Sequence, residues 1–337
     1  MAALVEAVNR HPSVSFHCGK KTTTITEDAE KGVTLTFADR TTAHGDILLG
    51  CDGIHSVARS KHVDPERKEI YSGIANAFGF APLNSNPELK DKLHFHKTAI
   101  NFARRGMILT SFYEPTCTSV YVGGLLQVPA IADRDGWKVR GADQERTKKD
   151  MKERFATPDV VHDDIDELID AAKDWFMWPV FTLTAGGKWC TDRTMLLGDA
   201  AHAMPPQGEA TGIVLEDTVL FARCLALAQE EETSVKAAFE RYEALRRSRI
   251  DAAFKESAAV VKTVQDAGAV GHRIKCAIVP WFLWLTRKKR EKHFIEDVTT
   301  SSLETKVQTK GGKSAIVLPL ALAMVLTTTF WMYTYWR

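Results

Sequence analysis

Hydrophobic positions recur at two different spacings along this chain. Alternation with a period of two in TTTITE and VTLTF, separated by the turn AEKG, predicts a hairpin of two strands. The apolar run ILLG (Ile47–Gly50) is typical of a strand buried on both faces. Further strands are predicted in LHFHKTAINF, GMILTSFYE, SVYVGGLLQV, WFMWPVFTL and MLLGDAA.

Helices are predicted where polar residues gather on one side of a 3.6-residue repeat. They cover residues 2–9, DQERTKKDMKERFA, HDDIDELIDAAK, about 212–228 and 234 to about 265. Strands at both ends of the globular part therefore enclose a sheet-rich middle. This order predicts an α/β cofactor domain interrupted by a substrate domain.

The overall charge excludes one class of partner. Lys plus Arg number 44 and Asp plus Glu 43, so no global field favours nucleic acid, and none is expected as a partner. The six cysteines are far apart and form no CxxC pair. Scattered cysteines in a chain of this size indicate reduced thiols in a protein that faces the cytosol.

The C-terminal stretch from Ser314 to Trp336 contains no charged residue and is long enough to cross a bilayer as a helix. Aromatic residues gather at its far end, and lysines precede it. We therefore expect a single-pass membrane anchor at 314–336, with the body of the protein in the cytosol, at the endoplasmic reticulum. The alternative is a buried terminal helix of a soluble protein.

A second apolar stretch, CAIVPWFLWLT (Cys276–Thr286), is too short to span a bilayer and leads into RKKREK. Two interpretations remain open. It is either an interfacial segment near anionic headgroups or a packed terminal helix.

Candidate chemistry lies between Met195 and Phe221. An apolar strand ends at Gly198-Asp199, where ligands bind in open α/β sheets. Pro205, Pro206 and Gly208 then form a turn, and a helix follows whose free N–H groups suit an anionic group. Asp199 is able to accept hydrogen bonds from a ribose or ribityl hydroxyl.

Two motifs give the chain a family resemblance. GD-AAH followed by P-xx-G and a helix bearing Glu216-Asp217 resembles the second flavin motif of the single-component FAD-dependent aromatic hydroxylases, the p-hydroxybenzoate hydroxylase-like monooxygenases. DILLGCDGIHSVARS resembles their Asp-Gly motif, with Asp52, Gly53 and Arg59 at its positions. Both occur in the family's order, and the resemblance covers roughly residues 1–265.

The resemblance implies a function. NAD(P)H would reduce FAD, and one oxygen atom from O2 would pass to a lipophilic small molecule by hydroxylation or epoxidation. A polyketide, aromatic or terpenoid intermediate of fungal-type secondary metabolism is expected. Pro205 and Pro206 would line the flavin. The expected cofactor-binding residues are Asp52, Gly53, Arg59, Gly198, Asp199, Pro206, Gly208, Ala210, Thr211 and Gly212; no metal is expected.

Two departures from the family pattern matter. Ala210 stands where most members have glycine, and no GxGxxG fingerprint for the ADP half of FAD occurs. We therefore expect a Rossmann-like domain that lacks its first βαβ unit and holds FAD weakly. The alternatives are an impaired membrane-anchored remnant acting as a binding or scaffold protein, or a member catalysing dehydrogenation or halogenation.

The predicted organisation has five parts: FAD-binding residues 1–69, substrate domain 70–185, FAD-binding residues 186–265, a basic juxtamembrane linker 266–313 and the transmembrane helix 314–336. Trp175, Trp178 and Phe181 are expected in the core rather than in a substrate pocket. Some of Phe78, Phe80, Phe102 and Phe112 are expected to line an apolar pocket.

Overall fold

The computed structural model describes residues 2–157, 162, 164–206, 210–295 and 297–304. The α-helices are α1 (Ala2–Asn9), α2 (Pro87–Lys92), α3 (Arg134–Ala142), α4 (Gln144–Phe155), α5 (Asp164–Ala171), α6 (Asp199–His202), α7 (Ala210–Glu230), α8 (Val235–Val264) and α9 (Ala269–Ile295), and a π-helix covers Arg59–Val63. The strands are β1 (Thr22–Asp28), β2 (Gly32–Phe37), β3 (Thr42–Gly45), β4 (Leu48–Gly50), β5 (Ile70–Pro82), β6 (Thr98–Ala103), β7 (Gly106–Phe112), β8 (Ser119–Gln127), β9 (Lys173–Thr182) and β10 (Thr194–Leu196).

The chain folds into two compact units, each made of several segments. The first unit contains Met1–Glu69, Leu183–Ala203 and Gly212–Arg247. The second contains Ile70–Thr182, Met204–Thr211 and the chain from Ser248 onward. The predicted α/β fold is confirmed.

The first unit holds two small sheets. Strands β1, β2 and β3 form an antiparallel sheet in that order, and β4 pairs with β10 in parallel, with Leu49 opposite Met195. Leu49 is 39% exposed, so the prediction that Ile47–Gly50 is buried on both faces is wrong. Within the described residues β4 pairs with β10 alone, and a sheet of two strands covers little of the surface of either strand.

The second unit is built on a five-stranded antiparallel sheet with the order β6-β7-β8-β5-β9. Side chains alternate between its two faces, as strand geometry requires. One face carries aliphatic residues such as Ala77 and Val122, together with Met177, and packs against Met151 of α4 and Leu168 of α5. This is the main hydrophobic core of the chain.

The other face of this sheet carries aromatic side chains. We call the set Phe78, Phe80, Tyr121, Phe176 and Trp178 the aromatic face. Val261 and Val264 of α8 pack near one end of the same side, against Ile74 and Leu125.

Tryptophans of β9 point in opposite directions. Trp175 lies in the core, as predicted, whereas Trp178 is 61% exposed, so its predicted core position is wrong. The two residues are three apart on a strand, and residues at odd spacing face opposite sides of a sheet.

Within the described part of the chain, no helix combines the length and apolarity needed to cross a bilayer. The predicted span 314–336 lies outside the described residues.

Candidate functional site

The two family motifs meet at one edge of the β4–β10 pair. Because these strands are parallel, the loops that follow them emerge at the same end. The N–H of Leu197 donates to the carbonyl of Gly50 at 3.0 Å and continues the pairing one residue further. The Asp52-Gly53 loop and the Gly198-Asp199 turn therefore start side by side, at the kind of edge where open α/β sheets bind ligands.

Asp52 organises its own loop. Its carboxylate accepts hydrogen bonds from the Ser56 hydroxyl at 2.5 Å and from the N–H groups of Val57 and Ala58 at 2.6 and 3.2 Å. These are the bonds of a side chain that caps a helical turn. Asp52 thus fixes the backbone that leads into Arg59.

Arg59 joins the two motifs. Its guanidinium is fully buried and donates to the carbonyls of Ala200 at 3.2 Å and Ile54 at 2.6 Å, and to Glu69 at 3.3 Å. Burial lowers the pKa of Arg59, while the charges of Glu69 and Asp52 oppose that shift. In this conformation the Arg59 guanidinium holds the two loops in position, and its expected role in cofactor binding stays a prediction.

A second buried arginine also holds loops in position by donating to backbone carbonyls. It was not identified from the sequence. Arg67 is buried and donates to the carbonyl of Ala201 at 2.7 Å and, through Nε, to that of Thr184 at 3.2 Å. Its sequence context, DPERKE, is typical of an exposed loop. No local pattern marks such an arginine, because its partners lie more than 100 residues away.

The Gly198-Asp199 turn depends on an unusual backbone conformation. Gly198 has φ +58° and ψ −140°, and a Cβ there would lie 2.9 Å from Cγ2 of Val214. Asp199 opens α6 with an exposed side chain. Surrounding protein atoms nevertheless raise the pKa of its carboxyl, and His202 partly offsets the rise.

Beneath this turn lies a buried ionic cluster, which we call the polar lock: His202, Asp217 and Arg246. The Asp217 carboxylate accepts from Arg246 Nε at 2.6 Å and lies 2.8 Å from His202 Nε2. Burial alone would raise the pKa of Asp217, but His202 and Arg246 bring it below its ordinary value. The lock ties α6 to α7 and α8.

The prolines belong to the second unit. The carbonyl of Pro205 accepts a hydrogen bond at 2.5 Å from the fully buried hydroxyl of Ser257 on α8. Ser257 was not singled out from the sequence, where it is one of many polar residues in a long helix. Gly208 lies outside the described residues.

Four rings of the aromatic face of the second unit contact one another: those of Phe78, Phe80, Tyr121 and Phe176. Phe78 lies opposite Gly123 on β8 and Phe176 on β9. Its ring is 5.7 Å from Tyr121 and 5.4 Å from Phe176. A Cβ at Gly123 would come within 2.4 Å of the Tyr121 ring, so the glycine gives that ring its space.

Comparison with known proteins identifies the family. Residues 1–257 match the family described as an FAD binding domain. The chain belongs to this FAD-binding family.

Two curated relatives and one solved structure are similar to the chain. It is 29% identical over 250 residues to 6-hydroxynicotinate 3-monooxygenase of Pseudomonas fluorescens, covering 74% of this chain and 60% of the relative. It is 27% identical over 270 residues to hispidin-3-hydroxylase of Neonothopanus nambi, covering 73% and 59%. A salicylate hydroxylase substrate complex matches with a TM-score of 0.66 at 22% identity, covering 88% of this chain and 73% of that one.

The resemblance to FAD-dependent monooxygenases is thus confirmed. The chain spans 60% and 59% of the lengths of the two curated relatives. The solved structure, at its low identity, supports the fold.

The described residues of the FAD-binding motifs fit such a cofactor. Among the described residues, a Cβ added at Gly53 or Gly212 would meet no atom within 4 Å, so space adjoins both backbones. The first residues of α7, Ala210, Thr211 and Gly212, are exposed. Helix N-termini favour anions, and the exposed Asp199 offers acceptors for hydroxyl groups.

Proposed function

We propose that this protein is an FAD-dependent monooxygenase that uses NAD(P)H and O2 to hydroxylate or epoxidise an apolar small molecule. The observation that carries the proposal is the joining of the two flavin motifs at one sheet edge, with buried Arg59 linking the Asp52 loop to Ala200. Such cross-linking holds a binding site in place before its ligand arrives, which lowers the cost of binding.

The aromatic face favours a planar, apolar substrate. Rings attract other rings in offset or edge-on arrangements, with an energy beyond their buried area. The curated relatives are named for 6-hydroxynicotinate and hispidin, both aromatic. An aromatic, polyketide or terpenoid intermediate of secondary metabolism is the proposed class.

FAD, when bound, would accept a hydride and activate oxygen, while the protein orients it and excludes water. Asp199 would hold a ribityl or ribose hydroxyl, and Asp52 and Gly53 would shape the loop beside it. The N-terminus of α7, with Thr211 and Gly212, would stabilise negative charge on the reduced ring. Pro205, whose carbonyl is held by Ser257, and Pro206 would line its face.

The FAD-binding part of the proposal is tested by titrating FAD into the purified full-length chain and following flavin absorbance. Asp199→Ala should weaken binding at least tenfold, because a charged acceptor is lost. Asp46→Ala, which removes another exposed aspartate of the first unit, is the matched control. Equal affinities of the two variants would contradict the assigned role of Asp199.

Catalysis is tested by screening aromatic compounds for substrate-dependent NAD(P)H oxidation coupled to oxygen uptake and product formation. Comparison of NADH with NADPH then identifies the reductant. Hydrogen peroxide as the sole product with every candidate would count against a monooxygenase and favour the remnant or dehydrogenase alternatives.

The proposal includes a single-pass anchor at 314–336, with the catalytic part facing the cytosol. Its support is the charge-free sequence of that stretch. Alkaline extraction of membranes carrying the full chain should leave it in the pellet, and deletion of 314–336 should release it.

A further inference from the structure

Helix α9 packs one side against the rest of its unit and leaves the opposite side exposed. Val279 and His272 are buried on the packed side. The ammonium group of Lys275 lies 5.3 Å from the centre of the Phe102 ring, and burial lowers its pKa. Just before the helix, the N–H of Ala267 donates to the carbonyl of Arg104 at 2.7 Å. These contacts fix which side of α9 is turned outward.

The outward side carries a stripe of exposed large apolar side chains. Trp281 and Trp284 are 58% and 56% exposed, and the stripe, which we call the α9 stripe, consists of Val270, Ile274, Trp281, Trp284 and Leu285. At about 100° per residue, their successive spacings of four, seven, three and one place them within an arc of about 100°. Exposed apolar residues scattered singly need no explanation, but a contiguous stripe marks an interaction surface.

Charge identifies the partner. Lys288 is exposed and follows Leu285 by three residues, so it extends the stripe. It belongs to RKKREK (Arg287–Lys292), in which five of six residues are basic. An apolar helix face with tryptophans beside a basic run is the arrangement of helices that lie in the interface of an anionic bilayer.

We propose that the α9 stripe docks on the surface of an anionic membrane, with the helix lying in the headgroup plane. Trp281 and Trp284, whose rings are 6.3 Å apart, insert at headgroup level. Lys288 meets the lipid phosphates. Tryptophan suits this depth because its ring is apolar and its N–H finds a polar partner. This docking needs neither bound flavin nor turnover.

The first experiment reads the two tryptophans directly. The full chain is mixed with vesicles of phosphatidylcholine and about one-third phosphatidylserine, brominated near the headgroups, and tryptophan quenching is measured. Trp281→Phe/Trp284→Phe should lose at least half of the lipid-dependent quenching while still binding. Trp178→Phe, which removes an equally exposed tryptophan elsewhere, should lose little. Equal quenching of wild type and the double variant would overturn the proposal and leave 314–336 as the source of any binding.

The second experiment measures affinity by vesicle co-sedimentation of the full chain and, in parallel, of the chain without 314–336, so that binding through the proposed anchor is distinguished from binding through the stripe. In the chain without 314–336, Trp281→Asp/Trp284→Asp should bind at least tenfold more weakly, and Val139→Asp, at an exposed valine of α3, should bind as the unsubstituted chain does. Binding should fall without phosphatidylserine and at about 0.5 M salt, because screening weakens the basic run. The alternative partner of the α9 stripe is a second copy of this chain, which light scattering without lipid tests. A dimer that the aspartate variants dissociate would show that the stripe binds a second copy, and would overturn the membrane assignment.

Discussion

The edge of the first unit and the aromatic face of the second are built in opposite ways. At the edge, buried charged groups bond to one another and to backbone carbonyls, as in the contacts of Arg59, Arg67 and Asp217. At the aromatic face, exposed or half-buried rings contact one another. Polar networks in a buried site fix one geometry and tolerate little change. Ring surfaces accept many shapes, so the edge that carries the two flavin motifs is rigid, whereas the aromatic face is adaptable.

The largest expected effect comes from breaking the polar lock. Asp217→Asn removes the negative charge between two buried basic side chains and should lower the free energy of unfolding by about 3–5 kcal/mol. Glu216→Gln removes a half-buried partner of Arg246, at 2.8 Å, and should cost about 1 kcal/mol or less. Denaturant unfolding measures both. Similar losses would mean that the lock is no more important than a surface ion pair.

The pH dependence of stability tests whether the charged carboxylate of Glu27 also stabilises the fold. Burial alone would raise its pKa, but hydrogen bonds from Thr191, His62 and other donors lower it from 4.5 to about 2. Because the pKa is lower in the folded state, the stabilisation is present above pH 4.5 and is lost as pH falls towards 2. At neutral pH the free energy of unfolding of the wild type should exceed that of Glu27→Gln by up to about 3 kcal/mol.

The measurement for Glu27 is the difference in unfolding free energy between wild type and variant across that pH range. Glu30→Gln, at an exposed residue two positions beyond β1, is the control and should match wild type throughout. A wild-type advantage that stays constant down to pH 2 would contradict the assigned ionisation.

Smaller effects are expected at the glycines of the two motifs. Gly198→Ala meets both a positive φ and Val214 at 2.9 Å, and should cost about 2–3 kcal/mol. Gly53→Ala meets a positive φ but open space, and should cost about 1 kcal/mol. Thermal unfolding with and without FAD compares them. If Gly53→Ala lowers the stability of the FAD-free chain more than Gly198→Ala does, the open space at Gly53 does not decide the cost of adding a side chain there.

Local patterns in the sequence predicted the hairpin β1–β2, most strands of the second unit and the helices α7 and α8. They missed β5, the long strand paired on both sides, because its glycines and alanines weaken the alternation. They located the two flavin motifs but not the residues that hold these loops in position. Arg67 and Ser257 act on carbonyls brought close by folding, and nothing in their neighbouring residues shows this.

The smallest effect on stability, and the clearest test of the adaptable face, is expected at Trp178. Because its side chain is 61% exposed, Trp178→Ala should change the free energy of unfolding by about 0.5 kcal/mol or less. Trp175→Ala, at a buried neighbour on the opposite side of β9, should cost about 3–5 kcal/mol. Once a substrate is found, Trp178→Ala should raise its KM, or change which ring compounds are accepted, with FAD affinity unchanged. A ring that contributes little to folding yet selects substrates must act through its exposed surface, whereas an unchanged KM and substrate range would remove Trp178 from the substrate face.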